Sequence, residues 1–116
     1  MPAKTNLPDR LVRLLVPLGP VEARRMFGAH GLFLDGVMFA ILVGDALFLK
    51  VDDRNRPDFE SAGMSPFRPW GDSRALTSYY EAPPEIMRDG RPLRAWAKKA
   101  IAAARASRAR RRAKAR

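Results

Sequence analysis

A chain of 116 residues, 47% of them apolar, is long enough to build one domain around one core. The absence of cysteine excludes disulfide staples and thiolate zinc sites, and it favours a reducing compartment. The net charge of +10 is confined to one end: 12 basic residues balance 12 acidic ones through Leu93, whereas Arg94 to Arg116 carry 10 basic residues and no acidic one. The chain therefore reads as a neutral domain with a basic arm, which says more than a high isoelectric point does.

The N-terminal stretch is no signal peptide, because Arg10 and Arg13 interrupt its apolar residues. The longest apolar run, Val37 to Val43, is strand-sized and far short of the roughly 20 residues of a membrane span. The composition leads to the expectation of a cytoplasmic protein with no membrane partner.

Asn6 to Gly19 is predicted helical, with Leu7, Leu11, Leu14, Leu15 and Leu18 on one face, Asn6 as cap and Pro8 in the first turn. Four short strands follow: Val21–Phe27, Gly31–Leu34, Val37–Val43 and Ala46–Val51. They are separated by Gly28, Asp35-Gly36 and Gly44-Asp45, which predicts an antiparallel meander. Met26 and Phe27 are read as core-sized side chains entering the turn at Gly28. Arg54–Gly63 reads as a short helix. Met64–Asp72, with Pro66, Pro69, Trp70 and Gly71, reads as a loop. Leu76–Tyr80 reads as the last strand, and Pro83–Gly90 as one helical turn. A final helix starts near Pro92, with Leu93, Trp96, Ala97, Ala100, Ile101 and Ala104 as its apolar stripe and Trp96 as its anchor on the sheet. The expected fold is thus α+β and two-layered, an antiparallel sheet of about five strands flanked by N- and C-terminal helices. The expected division is a domain over residues 1–104 and an arm over 105–116.

Few residues have the types that catalysis requires. His30, the single histidine, is expected in a turn between Gly28 and Gly31, and a serine–histidine–aspartate triad through it is the minor reading. Asp52, Asp53, Asp58 and Glu60 lack the spacing of a calcium loop and read as turn and cap residues. Neither glycine-rich phosphate loop occurs, so no cofactor is expected. Phe33, Phe39, Phe48, Tyr79 and Tyr80 fall in strands and could stack on bases, although core packing accounts for most of them.

Several segments in order resemble the TfoX/Sxy N-terminal domain family: Leu18–Val21, Arg25-Met26-Phe27-Gly28, Gly31–Phe33, Asp35–Ala40, Leu47–Asp52, Tyr79-Tyr80, Pro83-Pro84, Leu93–Ala97 and Ala100. The resemblance runs from about Leu11 to Ala104. It implies an antiparallel sheet covered on one face by N- and C-terminal helices. It also implies a relation to regulators of competence for DNA uptake, which act with the transcription machinery and often carry a second, helical C-terminal domain. In this chain a basic arm stands in that place, so a single-domain form is expected. The resemblance supplies no catalytic residue.

The arm holds Arg105, Arg108, Arg110, Arg111, Arg112, Lys114 and Arg116, separated only by alanines and one serine. On a helix, Arg105, Arg108, Arg112 and Arg116 share one side, and the others flank it. Two readings stand together: a phosphate-binding arm, or a solvated helix end that keeps the protein soluble. The functional expectation is a non-enzymatic regulatory or interaction domain near nucleic acid. The alternative is a protein-interaction module that uses its sheet.

Overall fold

The computed structural model describes residues 6–68 and 75–115. Arg116 of the arm and Pro69, Trp70 and Gly71 of the expected loop lie outside the described residues.

Helix α1 spans Leu7–Leu14 and buries Leu11. It ends earlier than predicted, and a 3-10 turn, Val16–Leu18, carries the chain on to Gly19. Pro17 accounts for the difference, because its ring disfavours helical geometry at Val16 and it has no N–H to continue the ladder. Asn6 sits at the cap position, but its carbonyl rather than its side chain is engaged, accepting from Arg10 N at 2.9 Å.

Strands β1 (Val21–Met26), β2 (Ala29–Leu34), β3 (Val37–Val43) and β4 (Ala46–Lys50) form the expected meander. At Asp35-Gly36 the φ angles are 53° and 78°, positive at both central positions as a type I′ hairpin requires. Between β2 and β3 the pairing shifts: Leu32 faces Ala40 and Phe33 faces Met38. Phe39 is the extra residue, and the bulge lets Phe39 and Ala40 both enter the core. His30 lies in β2, opposite Arg25, and not in the turn expected for it. Phe27, expected to be core-sized filling, is fully exposed at the tip of the β1–β2 hairpin.

Helix α2 spans Arg56–Ser61 and buries Phe59. Asn55, the one buried polar residue among those described, fastens its start: Nδ2 donates to the Lys50 carbonyl at 3.0 Å, and Oδ1 accepts from Asp52 N at 2.8 Å. β6 (Leu76–Glu81) pairs with β4, and a two-residue strand, β5 (Pro66–Phe67), pairs with β6. Among the described residues the sheet therefore has six strands in the order β1-β2-β3-β4-β6-β5, against the five or so expected. The extra strand hides behind Pro66, which an edge strand tolerates because its missing N–H is not needed there.

A 3-10 turn, Pro84–Arg88, leads to α3, which runs unbroken from Gly90 to Ala115. Asp89 Oδ1 accepts from Arg91 N at 3.1 Å and satisfies one free N–H of its first turn. Leu93, Ala97, Ala100, Ile101 and Ala104 are buried, so the predicted stripe meets the core. Trp96 is half-buried and lies edge-on to Phe59, ring centroids 4.9 Å apart. It packs on Phe59 of α2 and against the core cluster that the sheet helps to form. α1 packs beside α3 on the same side, and Arg94 Nη1 donates to the Leu14 carbonyl at 2.9 Å. Both terminal helices thus cover one face. Among the described residues no element covers the other.

Candidate nucleic-acid interface

The arm continues α3 past the sheet without a break in hydrogen bonding. Alanine-rich sequence holds the helix there by propensity, since the apolar stripe has ended. The cations leave the helix on three sides. Arg105, Arg108 and Arg112 line one open groove of about 580 Å³ with Asp35 and Val37, as their shared side predicts. Arg105 Nη2 lies 3.2 Å from Asp35 Oδ2. Arg111 turns the other way, donating from Nη1 to Ser107 Oγ at 3.0 Å, beside Lys50 and Tyr79. Arg110 borders a third depression with Asp52, Asp53, Arg54, Arg56 and Ser78. Lys114 is exposed. The seven predicted residues therefore do not form one patch: Arg105, Arg108 and Arg112 share one groove, Arg108 also borders the depression that Arg111 reaches, Arg110 borders a third, Lys114 is exposed, and Arg116 lies outside the described residues.

Charge at this end extends beyond the arm. Arg54 Nη2 is 2.7 Å from Asp52 Oδ2, and this hydrogen bond is the main reason the Asp52 carboxyl is held below its usual value. Lys50 is half-buried, and its ammonium is pushed below the usual lysine range, first by burial and then by Arg111 and Arg110. Burial raises the Tyr79 hydroxyl to about 12. Lys50 and Tyr79 were legible as strand residues, but nothing in the sequence shows that the end of α3 runs beside them.

The other candidates are placed as follows. Asp52, Asp53 and Asp58 each face a cation, Arg54, Arg56 and Lys99 respectively, and no group of three metal-binding side chains occurs among the described residues. His30 lies in an open groove with Asp9, Arg25 and Asp45, and no hydroxyl side chain is among the described lining residues. Phe39 and Tyr80 are core residues. Phe33, Phe48 and Phe67 lie half-buried, with Arg24 4.6 Å above the Phe33 ring and Phe48 4.4 Å from Phe67. Cross-strand pairing puts Phe33 with Met38 and Phe48 with Ile41 on the face that the helices leave bare. Among the described residues no helix is long and apolar enough to cross a membrane.

A model of the TfoX N-terminal domain family matches residues 13–104, which covers the whole described sheet and α3 as far as the arm. No curated protein matches the chain.

Proposed function

The chain belongs to the TfoX N-terminal domain family, and on that premise we propose that it is a cytoplasmic, non-enzymatic regulatory domain of the competence-regulator kind that contacts nucleic-acid phosphates through its arm. The observation that carries this reading is the state of the arm's cations. Among the described residues, Arg105 alone of them pairs with a carboxylate, and no ion pair engages Arg108, Arg110, Arg111, Arg112 or Lys114. Such charges bind phosphates by releasing condensed counterions, each contact adding about −0.9 to the slope of log K against log salt on B-DNA. The arm has no aromatic residue to read bases, so unrelated duplexes should bind alike.

The test is fluorescence anisotropy with unrelated duplexes from low to physiological salt, using the full chain and an Arg110→Gln, Arg112→Gln, Lys114→Gln variant. The slope should become shallower by about 2 to 3. An unchanged slope removes the arm from the mechanism.

A second reading, docking of a protein on the sheet side, is supported by Phe27. This large apolar side chain is fully exposed with φ at 51°, a conformation that bulky residues avoid. In that case a complex from lysate survives both nuclease treatment and the triple substitution, and Phe27→Asn abolishes it.

A further inference from the structure

Where α3 passes the ends of β4 and β6, its arm and the sheet enclose a notch of about 420 Å³. Lys50 and Tyr79, cross-strand partners, line the sheet side, with Lys50 Nζ 5.0 Å from the centre of the Tyr79 ring. Ser107, Arg108 and Arg111 line the helix side. No carboxylate is among the described lining residues, and no ion pair among the described residues engages Lys50, Arg108 or Arg111. Of the acids near this wall in sequence, Asp35 meets Arg105 and Asp52 meets Arg54, and Glu81, two residues from Tyr79, is not among the described lining residues.

Three cations are held around one half-enclosed space, and the Lys50 ammonium is pushed down first by burial and then by Arg111 and Arg110. The position is not a loose one. Lys50 sits in a paired strand, and Asn55 holds its carbonyl. The Ser107 hydroxyl adds a neutral donor, already oriented by Arg111. Two guanidinium forks, one ammonium and one hydroxyl suit the oxygens of a phosphate group, which guanidinium binds in bidentate fashion.

We propose that this notch binds one phosphate group, with Lys50, Arg108 and Arg111 as charged donors and Ser107 as the neutral one. The site deepens the arm reading and rests on it only for the source of the phosphate. A nucleic-acid phosphodiester and a free phosphate share this chemistry. The notch also gives the arm one fixed point of contact, set by a residue that composition alone places in the neutral domain.

The experiment uses the full chain throughout. Inorganic phosphate, with acetate as control, is titrated while backbone amide NMR signals are followed and the pKa of Lys50 is read on ¹³C-methylated protein. A labelled duplex is then titrated into the parent, Lys50→Met and Lys98→Met, the last an equal loss of charge at an exposed site on α3. Phosphate should move the Lys50, Ser107 and Arg111 signals saturably and raise the Lys50 pKa, and acetate should not. Lys50→Met should weaken duplex binding about tenfold, against about twofold or less for Lys98→Met. Phosphate shifts that avoid these three residues in the parent, or equal responses to acetate, overturn the site, and the parent titration decides this even if Lys50→Met does not fold. Equal duplex affinities for the two variants remove the notch from nucleic-acid contact. Saturable phosphate binding at the notch with no duplex binding by any form leaves a site for a free phosphate and sinks the nucleic-acid reading alone.

Discussion

Two hairpin turns in this sheet have nearly the same backbone and opposite side chains. Phe27-Gly28 joins β1 to β2 with φ of 51° and 80°, and Asp35-Gly36 joins β2 to β3 with φ of 53° and 78°. Each is flanked by a closed pair, Met26 with Ala29 and Leu34 with Val37. Asp-Gly is a residue pair that this geometry selects, because a short polar side chain tolerates positive φ. Phenylalanine is not, and Phe27 gains no burial in return, since it stands fully exposed. The second turn is thus explained by folding and the first is not.

The comparison is sharpened by substitution, with stability read from urea midpoints at constant m. Gly28→Ala and Gly36→Ala should each cost about 1–2 kcal/mol. An added Cβ meets nothing within 4 Å at either site, so the loss is purely one of backbone conformation and should be equal in the two turns. Unequal losses would mean that the turns are not the same. Asp35→Phe, which makes the second turn resemble the first, should cost about 1 kcal/mol through the strained φ and the lost partner of Arg105. Phe27→Asn should run in the opposite direction and raise stability by about 0.5–1 kcal/mol. A loss there would show that Phe27 supports the fold after all. Arg105→Gln should change stability by about 0.5 kcal/mol or less, because both partners of its ion pair are largely exposed.

Tyr79 supplies a pH test of the junction beneath the arm. Burial raises its folded value to about 12 from 10.0, so the neutral form is favoured in the fold. The stability it contributes is complete below pH 10 and is lost as pH rises from there towards 12. Tyr79→Phe should flatten that alkaline loss. Identical profiles would place the hydroxyl in water.

The elements that sequence reading recovered are those with a local cause. Val37–Val43 was bounded by turn residues on both sides, and the spacing of Leu93, Ala97, Ala100, Ile101 and Ala104 fixed the buried side of α3. What escaped depended on distant partners. β5 is two residues long and begins with proline, so it has no periodicity to read. Trp96 fits the stripe, but its neighbour is Phe59 of α2, a choice made by tertiary packing. The arm was legible as composition. The convergence of Lys50 and Tyr79 with Ser107 and Arg111 was not, because it arises from strand register on one side and helix length on the other.

An open sheet has two borders at which its ladder could continue into another molecule, and both are obstructed. On β1, Glu22, Arg24 and Arg25 are exposed, and Glu22 pairs with Arg24 at 3.0 Å. On β5, the partner strand is one short step that opens with Pro66, which offers no N–H to an incoming chain. A strand arriving at either border would have to desolvate charge at one or forgo a hydrogen bond at the other. Growth of the sheet by strand addition is thereby disfavoured at both described borders.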